Sequence, residues 1–164
     1  YFKIRNINHT MNNFTKKHLG KWESTYDNLI EGVKIPLKES TSWILGNKHG
    51  LIGIFSEEEI LYFQSSDNIY KSVNSIIRGG VINDFRTMIA IVEFNVSVEN
   101  APLKAAKGPL AMKIDKKILT YSFSIIQVPK PHLNKLANAF NVISDSTFGG
   151  PTVKSNVALD RLPN

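Results

Sequence analysis

The run Met88–Val98 constrains the fold more than any other stretch. Met88, Ala90, Val92, Phe94, Val96 and Val98 alternate with Ile89, Ile91, Glu93, Asn95 and Ser97, and a period of two places the two sets on opposite faces of a β-strand. The first set is wholly apolar, and the second turns polar at Glu93. Such a strand is covered on both faces over its first half and meets solvent on one face over its second. Shorter strand signals surround it. Val33–Leu37 contains Pro36 and so reads as an edge or a strand end. Ser42–Leu45 and Leu51–Phe55 flank Gly46–Gly50 as a hairpin. Leu110–Ile114 alternates, and so does the core of Lys117–Val128, with Asp115-Lys116 as the turn between them.

Helical periodicity occupies the rest. It runs from a Thr10 cap to Gly32 with a weak point at Gly20, from Asp67 to Gly79-Gly80, and over His132–Ile143. Ser56-Glu57-Glu58-Glu59 has the spacing of a capping box, which favours a helix over a strand for the residues after it. Tyr1–Ile7 reads as an edge strand or a loose arm, and Glu99–Pro109 as a loop. The expectation is an α+β domain over residues 1–143. It is mainly an antiparallel β-sheet, a sandwich or half-barrel, packed with three to four short helices, and residues 144–164 form an extended tail.

A hydrophobic share of 42% excludes a disordered chain. No apolar run nears the roughly 20 residues a membrane-spanning helix needs. The absence of cysteine removes disulfides, thiolate metal sites and cysteine nucleophiles, and fits a reducing, intracellular setting. Tyr1 in place of Met reads as a processed or trimmed start. The Asn-x-Ser/Thr triplets at Asn8, Asn13 and Asn95 are read as chance occurrences in a chain rich in these residues.

Charge is localised. Ala101–Lys135 holds seven lysines and one acid, Asp115, which equals the +6 of the whole chain. No arginine falls in the stretch, so diffuse phosphate contact is favoured over base-specific readout. The candidate binding residues are Lys104, Lys107, Lys113, Lys116, Lys117 and Lys130, with Tyr121 and Phe123 nearby. Lysines beside aromatics suit single-stranded nucleic acid, and lysines alone suit anionic lipid headgroups. The plain alternative is a solvated hairpin whose lysines protect a sheet edge.

Catalytic signatures are weak. His9, His18, His49 and His132 share no ligand spacing, so no metal site is expected. Arg78-Gly79-Gly80 follows a helix rather than opening one, and no P-loop or Gly-x-Ser-x-Gly is present. Glu93, a carboxylate inside an apolar run, is the one candidate for a small-ligand or enzymatic site.

Ile89-Ala-Ile-Val-Glu93, Leu103, Ala105-Ala-Lys-Gly-x-Leu110-Ala and Ser122-Phe-Ser-Ile with a following proline together resemble the core of the plant-virus movement-protein superfamily. Ala137-Asn-Ala-Phe-Asn-Val-Ile143 is similar to a C-terminal helix of some matrix proteins of negative-strand RNA viruses. Both resemblances imply a basic, self-associating, non-enzymatic protein that meets nucleic acid or membrane. Glu59-Ile-Leu-Tyr-Phe-Gln64-Ser65 also resembles the recognition sequence of a potyviral protease; its apolar residues read as core, which favours coincidence. The expected function is therefore that of a viral structural or movement-type protein. It would form homo-oligomers, need no cofactor, and bind single-stranded nucleic acid or an anionic membrane through a lysine-rich β-element at a virion or host-membrane periphery. The alternatives are a protein–protein assembly module and a ligand-binding or enzymatic domain centred on Glu93.

Overall fold

A computed structural model describes residues 14–159. The Tyr1–Ile7 segment, the Thr10 cap, His9, the asparagines of the first two Asn-x-Ser/Thr triplets and the last five residues lie outside the described part. The class is α+β with an antiparallel sheet, but helix predominates: 55% of the described residues are helical and 15% are in strands.

The centre is β2 (Gly50–Ser56), whose residues through Phe55 are all buried. It pairs antiparallel with β3 (Glu59–Ser66) on one side and with β4 (Ser122–Ile126) on the other. The two-residue β1 (Ile35–Pro36) pairs with β4, giving the order β1-β4-β2-β3. Pro36 thus stands on an edge, as its missing N–H requires. A single sheet takes the place of the expected sandwich or half-barrel. Helices cover both of its faces, which is why β2 is a continuous apolar run. Eight α-helices among the described residues take the place of the expected three to four.

One layer contains a 3-10 helix (Lys16–Trp22), α1 (Glu23–Glu31) and α7 (Leu133–Ser144). Leu19, Leu29, Leu136 and Phe140 pack there with Leu51, Phe63 and Val128. Gly20, at φ 56°, divides the first helical region as expected, and Gly32 ends α1. The opposite layer contains α3 (Ile69–Arg78), α4 (Asp84–Phe94), α5 (Ala101–Ala106) and α6 (Pro109–Ile118). Val73, Ile76, Phe85, Ile89, Ile114 and Ile118 pack there on Ile52, Ile54 and Phe123. A short α2 (Glu39–Ser42) and a terminal α8 (Pro151–Leu159) complete the chain.

The strand expected over Met88–Val98 is helix α4 and a following loop. Its upstream residues explain the reversal. The Asn83 side chain accepts from the Arg86 N–H at 3.1 Å and so caps the helix, and Asp84 sits in the first turn. The buried set is Phe85, Arg86, Ile89 and Ala90, a helical spacing. In so apolar a run both periods fit, and the cap decides between them. Leu110–Ile114 likewise lies in α6, with Pro109 at the first helical position and Ala111, Ile114 and Ile118 buried. The expected loop 99–109 holds α5, so the basic hairpin does not exist. From Lys117–Val128, only Ser122–Ile126 is strand.

Three smaller expectations also reverse. Ser56 and Glu59 close a two-residue β-turn with Glu57 at φ 54°, so the capping-box helix is absent. Sheet pairing to the buried β2 outweighs the strain of one left-handed glutamate. Ser42–Leu45 is the end of α2 and a turn rather than a hairpin strand. Residues 144–159 are not an extended tail. Phe148 is buried against Phe85, and its N–H, like that of Thr147, bonds to β3.

Candidate functional site

The lysines divide into three groups. Lys104 is on α5, Lys107 follows it directly, and Lys113 and Lys116 are on α6. All four are exposed, and none has a carboxylate partner within ion-pair distance among the described residues. At about 100° per residue, Met112, Lys116 and Leu119 fall within about 60° of one another, opposite the buried Ala111, Ile114 and Ile118. Leu103, Met112 and Leu119 are 69%, 66% and 58% exposed. The outer face of α5–α6 therefore interleaves free cations with uncovered apolar side chains. Gly80 N–H donates to Ala106 O at 2.8 Å, which brings exposed Val81 to the Lys107 end of that face.

Lys117 belongs elsewhere. Its ammonium is ion-paired with Glu93 and lies 5.7 Å over the Phe94 ring. The two rival sequence candidates, a lysine site and a Glu93 site, thus neutralise each other between α6 and α4. Glu93 is not in the lining of the nearby open cleft of about 700 Å³, which is formed by Ile91, residues 95–99 and Val157. Lys130, in a 3-10 turn between Val128 and Leu133, lies with the opposite helical layer, so the sheet separates it from the other lysines. Tyr121 and Phe123 are 9% and 0% exposed, which leaves neither ring free to stack on a base.

Sequence reasoning passed over Arg86, which organises this face from inside. Its side chain is fully buried. Nε donates to Ala105 O at 2.9 Å, Nη1 to Ile76 O at 2.9 Å and Nη2 to Ala111 O at 3.1 Å. The first two acceptors are near the C-termini of α5 and α3, where carbonyls lack helical partners and the dipole favours a cation. Asp115 Oδ1 lies 2.7 Å from Nη2 but off the N–H axis, so it contributes as an ion pair rather than an aligned hydrogen bond. Gly79, at φ 64°, makes room: a Cβ there would lie 2.9 Å from Nη2 and 3.0 Å from Ala106 O. Arg86 thereby ties α3, α5 and α6 to α4, and its pairing engages the one carboxylate of the basic stretch, Asp115, through the buried Oδ1. The signal available in the sequence was the arginine within an apolar helix, next to a cap and after a Gly-Gly step.

No group of His, Asp or Glu suited to a metal occurs among the described residues. No described helix is long and apolar enough to cross a membrane. No family model, curated protein or solved structure matches the chain.

Proposed function

We propose that this protein docks on anionic membrane surfaces through the outer face of α5 and α6. The supporting observation is the interleaving of Lys104, Lys107, Lys113 and Lys116, all without carboxylate partners among the described residues, with more-than-half-exposed Leu103, Met112 and Leu119. A helical surface that mixes lysine with large aliphatics suits the headgroup–acyl boundary, where the ammonium groups reach phosphate and the apolar side chains dip below it. Each lysine near such a surface is worth about 1 kcal/mol, so four give weak, salt-sensitive binding that apolar insertion strengthens. Self-association would multiply that weak contact. Single-stranded nucleic acid is the second reading, since phosphates would engage the same lysines. It has no use for the leucines and methionine, and Tyr121 and Phe123 are too buried to stack on its bases.

Cosedimentation with vesicles containing phosphatidylglycerol, beside gel shifts with a single-stranded oligonucleotide, separates the readings. K113E/K116E weakens vesicle binding and flattens its salt dependence. M112S/L119S weakens vesicle binding while any oligonucleotide binding stays unchanged. Failure of the natural protein to bind the vesicles, or indifference to M112S/L119S, overturns the membrane reading. An assembly module without an anionic partner binds neither probe.

A further inference from the structure

We infer that the open end of the β3 edge is a binding site for a small neutral polyhydroxyl compound, a sugar or cyclitol. Two small clefts, of about 200 and 240 Å³, meet there and share Gln64 and Asp84 in their linings. The first extends to Asn134 and Asn138 on α7, and the second to Lys71 on α3. Gln64 Oε1 is buried and has no hydrogen-bond partner among the described residues. An orphaned buried acceptor costs about 1–3 kcal/mol and calls for a ligand or solvent partner.

The surrounding groups narrow the chemistry. Ser65 Oγ donates to Asn134 Oδ1 at 2.6 Å, which fixes that amide and leaves its N–H groups free to donate. Farther along β3, Asn141 takes both the N–H and the C=O of Phe63. The outward backbone groups of Ser65, two residues on and facing the same way, have no such amide among the described residues. Tyr62 also lines the first cleft; burial pushes its hydroxyl up to about 12, so it stays a neutral donor and acceptor.

The site therefore mixes acceptors (Gln64, Asp84) with donors (Asn134, Lys71). An apolar ligand leaves Gln64 unsatisfied, an anion meets the Asp84 carboxylate, and a cation meets the Lys71 ammonium. Hydroxyl groups, each donor and acceptor at once, suit all of them, the Gln64 oxygen once its amide turns from its buried position towards the cleft. They also match the Gln64 amide in either orientation, since a hydroxyl pairs with its oxygen or its NH2. The inference is independent of the membrane reading, whose face lies on α5 and α6.

The test is an amide-resolved NMR titration of the full chain with methyl α-glucopyranoside and with myo-inositol, with sodium phosphate and ethylammonium as contrasting probes. The expected result is saturable shifts of Gln64, Ser65, Asp84 and Asn134 by one of the polyols in the millimolar range. Gln64→Leu, which removes the orphan without adding a polar group, should weaken that binding about tenfold. Asp84→Asn, at an exposed position, provides a second variant should the first fail to fold, and should also weaken it. Absence of saturable shifts with both polyols, equal binding of phosphate or ethylammonium, or full retention of binding in these variants overturns the proposal.

Discussion

Arg86 and Lys116 belong to one helical layer, carry the same charge, and have opposite surroundings. The arginine is fully buried and bonded to three backbone carbonyls with a carboxylate beside it. The lysine points outward between Met112 and Leu119 and has no ion-pair partner among the described residues. The difference separates cations that build the layer from cations it presents. A planar guanidinium serves the first task because it can satisfy three divergent acceptors at once, whereas a flexible ammonium serves the second. Net charge alone, which counts the two equally, hides the distinction.

Removing each in turn tests it, and the largest effect is expected at the arginine. Arg86→Met leaves buried carbonyls of α3 and α5 without donors and Asp115 without a counterion. The expected loss is about 3–5 kcal/mol, read as a lower midpoint in urea denaturation. Lys116→Met should change stability by less than about 0.5 kcal/mol. Comparable small effects for both would show that the buried network is not what joins the helices.

Asn141 is a neutral counterpart of Arg86. Its amide accepts from Phe63 N–H and donates to Phe63 C=O, both at 2.9 Å, and it also receives Ser146 Oγ at 2.6 Å. It thus occupies the edge of β3 as another strand would, and Thr147 and Phe148 N–H groups bond to Ile60 and Leu61 carbonyls beside it. Asn141→Leu should cost about 2–4 kcal/mol, from two orphaned backbone groups, and expose an edge prone to pairing. The sequence similar to a protease site, Glu59–Ser65, supplies a second readout. Leu61 and Phe63 are buried within β3, so the folded natural chain should resist a potyviral-type protease that the Asn141→Leu variant admits. Rapid cleavage of the folded natural chain would contradict this pairing.

Burial also sets a pH limit. Tyr62 is stacked on Phe85 at 5.7 Å, and burial, with Asp84 nearby, raises its pKa from 10.0 to about 12. The folded state therefore holds this proton more tightly than the unfolded state. Its contribution is complete below pH 10 and is lost as pH rises towards 12. The loss should be roughly 2 kcal/mol, and Tyr62→Phe should flatten that part of the stability–pH curve. An unchanged curve in the variant would assign the alkaline limit to Tyr26 and Tyr121, whose pKa values burial also raises.

How much was legible in the sequence follows from where the information lay. α3 and α7 were readable because polar residues interrupt their apolar faces at helical spacing. α4 was not, because an almost wholly apolar run satisfies both periods, and the deciding Asn83 and Asp84 lie before it. β3 was misread because Ser56–Glu59 has a helix-start pattern, and only its partner β2 reveals the turn. The localisation of charge was legible, and four of the six candidate lysines are exposed on or beside α5 and α6. That Glu93 claims Lys117, and that the sheet separates Lys130, are long-range facts that no local pattern carries. Arg86 was passed over for the same reason: its acceptors come from three other helices.

Glu93 and Lys117 occupy the boundary between the two kinds of cation, and they give the smallest expected effect. Their ion pair is partly exposed, so Glu93→Gln should cost no more than about 1 kcal/mol. The same change frees Lys117 one position from Lys116. If the outer face binds anionic vesicles by charge, a fifth available lysine should tighten binding by about 1 kcal/mol and steepen its salt dependence. The opposite substitution, Lys117→Gln, should leave vesicle binding almost unchanged, because that ammonium is already engaged. Equal losses from Lys117→Gln and Lys116→Gln would mean that the ion pair opens on binding. The division between structural and presented cations would then belong only to the unbound protein.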